Sequence, residues 1–132
     1  MRYAIARVCL FAVTACSSDS PVAPAPPVDR EIVVPVGSSA SVPEASATIT
    51  FERVVGDSQC PADALCIQGG DAIVRIDVTT PEGRGGYELH TGNQRPIRHR
   101  DLTIHLVQLE PYPFSSHPID PKTYRATLRI VR

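Results

Sequence analysis

Residues 48–80 read TITFERVV, then GDSQCPADALCIQGG, then DAIVRIDVTT. Apolar and polar side chains alternate in the last part, and a shorter alternation surrounds Phe51 in the first. Such alternation is typical of strands that bury one face. The polar middle part contains Cys60 and Cys66. This segment therefore predicts two strands joined by a loop that a disulfide can staple.

Similar short runs occur throughout residues 31–132, which form the predicted domain. Further strands are predicted at 32–36, 39–42, 87–91, 97–98, 101–110 and 122–132, with a hairpin turn at 81–86 and a proline-rich loop at 111–121. Arg75, Asp77 and His105 are expected on outward faces. Seven or eight strands, spaced by roughly 10 to 15 residues, indicate an all-β fold. We predict an antiparallel β-sandwich of immunoglobulin-like size, with a small β-barrel as the alternative.

Residues 1–15 have the features of an export signal. Arg2 and Arg7 precede an apolar run over residues 8–15, far shorter than the ~20 residues of a membrane-spanning helix. The sequence VTAC at residues 13–16 resembles the bacterial lipobox, in which the cysteine becomes an acylated N-terminus. This resemblance implies a lipoprotein signal peptide at 1–15 and a lipid anchor on Cys16.

The alternative is an ordinary signal peptide cut after Ala15, with Cys16 as an unmodified thiol.

Acyl chains on Cys16 would hold a small domain on a bilayer, because each buried CH₂ contributes about 0.8 kcal/mol. Ser17, rather than Asp, follows Cys16, and by the same resemblance this is compatible with transfer to the outer membrane. The expected location is therefore a bacterial cell envelope, at the outer membrane or facing the periplasm.

Residues 16–30 are predicted to form a tether between the lipid and the domain. They contain four prolines and almost no large apolar side chain. Such a segment buries too little surface to offset the entropy of ordering it, and proline favours an extended chain. A proline-rich ligand for another protein is the alternative reading.

Two cysteines remain once Cys9 is lost with the leader and Cys16 carries the lipid. These are Cys60 and Cys66, and an exported chain meets an oxidising compartment. We therefore predict a disulfide between them.

The stapled loop, residues 57–70, is the candidate binding loop. Its candidate contact residues are Asp57, Ser58, Gln59, Asp63 and Gln68. Asp57 and Ser58 can also bond the loop backbone, while Gly69 and Gly70 can supply positive φ before the next strand. A purely structural loop is the alternative.

Charge and motif patterns disfavour several functional classes. The chain has 13 basic and 14 acidic residues, whereas nucleic-acid-binding proteins carry a basic excess. Nucleic acid is therefore not an expected partner. Ser58 lies beside Asp57 without a G-x-S-x-G elbow or a positioned histidine, so enzymatic hydrolysis is not expected.

Metal sites are weighed on two patterns. Asp57, Asp63 and Asp71 bracket the stapled loop, and three carboxylates can bind Ca²⁺, but EF-hand spacing is absent. The four histidines have no i, i+2 or i, i+4 pairing and are expected at the surface. Neither pattern predicts a metal centre, and no cofactor is expected.

The pattern D-S-x-C-P-x-D-x-x-C-[IV]-x-x-G-x-A, matched at residues 57–72, is similar to a motif of small bacterial lipoproteins and secreted β-domains. That group also has an F-x-x-V strand before the loop, matched at 51–54, and a final strand with a tyrosine, matched by Tyr124. The resemblance implies fold and location rather than an activity. Gln59 and Gln68 depart from the arginine and the aromatic residue expected at those positions.

These patterns together predict a lipid-anchored, non-catalytic domain of the cell envelope. It would bind a protein or an envelope polymer through the loops at one end. A periplasmic domain for a small molecule or a metal is the first alternative, and a hydrolase is the second.

Overall fold

The structure is a computed structural model that describes residues 21–132, so the predicted signal peptide and Cys16 lie outside the described residues. Its strands are β1 (Asp29–Pro35), β2 (Ser39–Val42), β3 (Ala47–Asp57), β4 (Ala72–Thr80), β5 (Gly83–His90), β6 (Ile97–His99), β7 (Leu102–Glu110) and β8 (Arg125–Val131). They form two antiparallel sheets in the orders β1-β8-β7-β6 and β2-β3-β4-β5. The sheets do not close into a barrel, which confirms the predicted β-sandwich and rules out the barrel.

Short 3₁₀ turns at Pro43–Ala45 and Pro121–Thr123 are the helical elements within residues 21–132. Neither approaches the length and apolar character that crossing a bilayer requires.

The core lies between the two sheets and follows the alternation of the sequence. Fully buried side chains on β3, β4, β7 and β8 include Ile49, Phe51, Val74, Ile76, Val78, Leu102, Ile104, Leu128 and Ile130. Each such side chain stabilises the fold by about 1.5–3 kcal/mol. The inward faces predicted for these strands are confirmed.

The hairpin between β4 and β5 is tighter than predicted. Thr80 pairs with Gly83, so two residues form the turn. The predicted turn at 81–86 was wrong because three of its glycines belong to β5. Gly83 has a φ of +143°, a conformation that favours glycine, and the remaining two glycines extend the strand.

Asp77 lies on the outer face of β4, as predicted, but its exposed fraction is only 8%. The Arg84 side chain forms an ion pair with its carboxylate. This hydrogen bond holds the pKa of Asp77 below its usual value. The carboxylate is therefore covered by its partner and stays charged.

His99 contradicts the expectation that the histidines lie at the surface. Its exposed fraction is 3%, because its ring lies between β6 and the opposite sheet. Its Nδ1 lies 2.8 Å from the Tyr87 hydroxyl oxygen, and its Nε2 lies 3.3 Å from the Thr80 hydroxyl oxygen. The ring therefore links the two sheets inside the sandwich.

The chain enters the sandwich at the end opposite the stapled loop. Asp29 begins β1, and Pro35 ends it, paired with Arg125. Tyr124, the neighbour of Arg125, donates a hydrogen bond of 2.8 Å to Asp57 at the base of the stapled loop. The length of β1 thus separates residues 21–28 from the stapled loop.

The packed domain begins a little earlier than the predicted residue 31. Val28 is buried, and its carbonyl accepts a hydrogen bond of 2.8 Å from the Arg132 backbone N–H. Residues 21–27 are exposed and have no regular secondary structure. Val28 is therefore the first of the described residues that packs into the sandwich.

Candidate functional site: the stapled-loop end

The disulfide predicted between Cys60 and Cys66 is present. Their Cα atoms lie 6.0 Å apart, within the loop that connects β3 to β4, a spacing typical of disulfides. The bridge therefore closes the centre of the stapled loop on itself.

Asp57 and Ser58 hold the base of the loop. The Ser58 hydroxyl donates to the Asp71 carbonyl oxygen (2.9 Å) and accepts from the Asp71 N–H (3.1 Å). Asp57 accepts from the Gln59 N–H (3.1 Å) and from the Tyr124 hydroxyl (2.8 Å). Burial and the bond to Asp57 raise the pKa of Tyr124 to about 12. Two predicted contact residues therefore bind the loop itself.

Gly70 is required for a different reason from the one predicted. Among residues 21–132 the glycines with positive φ are Gly37 and Gly83, so the expectation for Gly69 and Gly70 was wrong. A Cβ atom on Gly70 would instead collide with the Ser58 backbone, whereas Gly69 faces open space. The backbone at Gly70 thus lies so close to the backbone at Ser58 that no side chain fits between them.

Asp63 fastens the loop to the segment after β7. Its carboxylate accepts hydrogen bonds from the Ser115 N–H (2.8 Å) and the Ser115 hydroxyl (2.6 Å). These bonds lower the pKa of Asp63. The Ala62 N–H adds a bond of 2.9 Å to the Pro113 carbonyl oxygen. The loop is therefore held at its base, at its disulfide and at this second loop.

Leu65 and Ile67, on either side of Cys66, are fully exposed. The apolar surface of both side chains is therefore in contact with water. Gln68 is exposed beside them. The sequence interpretation did not single out this pair. The available signal was the presence of two large aliphatic residues in a short, otherwise polar loop between strands.

More apolar surface lies at the same end of the sandwich. Val107, Tyr112 and Phe114 are each about half exposed. A register shift between Leu106 and Gln108 turns Val107 outward. We call these three residues, with Leu65 and Ile67, the apolar tip. Clustered exposed apolar residues are typical of interaction sites.

A cavity of about 290 Å³ lies behind the apolar tip. It is bounded by the stapled loop, by the segment after β5 and by the end of β7, and it is lined by Gln59, Cys60, Gly69, Gly70, Thr91, Gln94, Val107, Gln108, Leu109 and Tyr112. Of the predicted contact residues, Gln59 alone lines it. No charged side chain is among its lining residues.

Asp71 organises the segment that follows β5. It lies 2.5 Å from the His90 Nδ1 atom and accepts a bond of 2.8 Å from the Gly92 N–H. Burial raises the pKa of Asp71, but the hydrogen bonds from His90, Gly92 and Thr91 outweigh it, so that the pKa lies below its usual value. Within residues 21–132, no cluster of three or more His, Cys, Asp or Glu side chains could hold a metal ion.

We expect the free energy of unfolding to decrease in acid, since the pKa values of Asp63 and Asp71 are lowered by folding. The contribution is complete above the carboxyl pKa of the unfolded chain, about 3.9, and is lost as pH falls through the lower folded values. Thermal melting from neutral to strongly acidic pH measures it. The Asp71→Asn variant should show a weaker dependence, and an unchanged one would contradict the assignment.

Comparisons with protein-family models, with curated proteins and with solved structures find nothing that matches this chain. What the stapled-loop end can do therefore follows from its own residues.

Proposed function

We propose that the chain is a lipid-anchored, non-catalytic domain of a bacterial cell envelope that binds a protein or an envelope polymer at the stapled-loop end. The observation that carries this proposal is the separation of the two ends. The tether joins the domain at Val28, while Leu65 and Ile67 are exposed on a stapled loop at the far end. An anchor on Cys16 would thus leave the far end free for a ligand.

The apolar tip favours binding over a structural role. Burying a Leu or Ile side chain gains about 1.5–3 kcal/mol, and neither Leu65 nor Ile67 is buried within the domain. The disulfide and the Asp63 bonds to Ser115 already order the loop. Because a preordered loop loses little entropy on association, most of the gain would appear as affinity.

The charge of the loop favours a ligand other than the anchoring bilayer. Residues 57–70 contain two charged side chains, Asp57 and Asp63, and no basic residue. Attraction to anionic lipid headgroups depends on Lys and Arg. Position and charge both direct the tip towards a partner on the side away from the anchor.

The hydroxyl of Ser58 favours binding over hydrolysis. A catalytic serine needs a neighbouring base that takes its proton. Here the hydroxyl donates to the Asp71 carbonyl and accepts from the Asp71 N–H. The hydroxyl hydrogen of Ser58 and one acceptor position of its oxygen are therefore both used by the Asp71 backbone.

Crosslinking in cells that express the full chain tests the proposal, followed by rebinding of the purified captured component. The variant Leu65→Ser with Ile67→Ser should reduce recovery by about tenfold or more, because two apolar contacts are lost. Val33→Ser is the control, since Val33 is also an exposed aliphatic residue (56%), although less exposed than Leu65 and Ile67, and lies on β1. Cys16→Ser should move the protein from the membrane fraction to the soluble fraction.

Two outcomes would contradict the proposal. Equal capture by the loop variant and by Val33→Ser would show that the apolar tip does not bind. Retention of Cys16→Ser in the membrane fraction would show that no lipid on Cys16 holds the protein there.

A further inference from the structure

We propose that the cavity behind the apolar tip binds an uncharged saccharide unit. This inference rests on the proposed function, because it takes the stapled-loop end as the binding end, and it names the chemistry of the polymer. Nothing in the inference depends on the lipid anchor itself.

The lining of the cavity matches the chemistry of a sugar ring. Gln94 and Gln108 are among its lining residues and can present carboxamide groups to it. The Thr91 hydroxyl, which also lines it, is already engaged by Gln59, Ala72 and Asp71. A carboxamide offers both donors and acceptors, and every sugar hydroxyl does the same. Tyr112, half exposed, forms part of the wall, and its flat ring can pack against the C–H face of a sugar. The cavity therefore supplies polar groups and an apolar platform together.

The walls of the cavity are held in place without a ligand. The Gln59 side-chain N–H donates to the Thr91 hydroxyl oxygen (3.0 Å), which also accepts from the Ala72 N–H (2.8 Å). Cys60 is fixed by its disulfide. Gln94 has a φ of +48°, a conformation that non-glycine residues rarely adopt. Sites that are largely preformed are typical of small-ligand binding.

Gln59 carries a further indication. Its carbonyl oxygen is buried and has no hydrogen-bond partner among the described residues, which costs free energy that an apolar side chain of similar size would avoid. Because Gln59 lines the cavity, a ligand hydroxyl that reached this oxygen would supply the missing donor. The unsatisfied oxygen thus favours a ligand that donates hydrogen bonds.

Charged ligands and extended peptides fit the cavity less well. A charged group entering it would lose water without meeting an opposite charge, because no charged side chain lines the cavity. An extended peptide needs a long open edge, and about 290 Å³ suits a single ring-sized group. A neutral sugar unit of a larger polymer carries no charge and has the size of a single ring.

Isothermal titration of the protein, purified from cells that express the full chain, tests this inference. The probes are soluble neutral oligomers of N-acetylglucosamine and of glucose, with an uncharged, end-capped alanine tetrapeptide as the competing class. Gly69→Leu should weaken saccharide binding by about tenfold or more, because Gly69 lines the cavity and faces open space. Gly56→Leu is the control: Gly56 also faces open space but lies on β3 and is not among the residues that line the cavity.

Saturable binding of either oligomer, weakened by Gly69→Leu and unchanged by Gly56→Leu, is the expected result. Three outcomes would overturn the inference: no saccharide binding at millimolar concentration, binding that Gly69→Leu leaves unchanged, or binding of the peptide alone. None of these outcomes depends on the capture experiment with the Leu65 and Ile67 variants. The binding end can therefore be confirmed while the saccharide is excluded.

Discussion

A Gly70→Ala variant is expected to lose about 3 kcal/mol of unfolding free energy, because overpacking against rigid atoms is strongly destabilising. The added methyl group would collide with the Ser58 carbonyl, which belongs to the backbone and cannot rotate away as a side chain does. Ser58 is also bonded to the Asp71 carbonyl oxygen, both through its backbone N–H and through its hydroxyl. To relieve the collision, the loop base would have to open and give up these bonds.

Gly69→Ala is the matched control for this prediction. Its new Cβ would have no atom within 4 Å, and neither glycine has positive φ. Urea denaturation of the two variants should therefore separate their midpoints clearly, with Gly69→Ala close to the native chain. Similar midpoints would show that the approach of Ser58 to Gly70 is not maintained in solution.

Removing the disulfide is the second large change. The double variant Cys60→Ser with Cys66→Ser should unfold with about 2 kcal/mol less free energy, the chain-entropy value for a closed loop of this size. The buried core between the two sheets should keep the native fold populated. Urea denaturation measures the loss, and far-ultraviolet circular dichroism should still report a β-protein.

A reducing agent provides the control for this prediction. It should lower the midpoint of the native chain to that of the double variant and leave the double variant unchanged. A native midpoint that does not respond to reduction would contradict a stabilising role for the Cys60–Cys66 bridge.

Much of the fold could be predicted because one face of each long strand is buried. Apolar and polar residues alternate over residues 74–79 of β4 and 125–130 of β8, so these strand positions and their inward faces follow directly from the sequence. Errors arose where a local rule competes with pairing. The β5 glycines are strand residues because Gly83 pairs with Thr80, and the bulge after Leu106 depends on register with β8. The burial of His99 requires knowledge of which strand lies opposite β6.

The candidate site was only partly predictable for the same reason. The stapled loop and its disulfide could be recognised locally, because both cysteines and the turn residues lie within one short segment. The contact between Asp63 and Ser115 joins residues 52 positions apart, and no periodicity reports such a pair. Asp57, Ser58 and Asp63 therefore hold the loop. Of the predicted contact residues, Gln59 lines the cavity together with segments distant in sequence, and the exposed surface includes Leu65 and Ile67.

The pairing of β1 with β8 determines how the domain would resist mechanical tension. In the proposed arrangement, a pull between a tether before Val28 and a ligand at the far end would run along β1. The seven residue pairs between the two strands would then be strained together in shear, rather than opening one after another. The bonds of 2.7 and 2.8 Å from Arg129 to Asp29 lie at the end where force enters. An anchor and a ligand at these two ends would therefore place the β1–β8 pairs under load together.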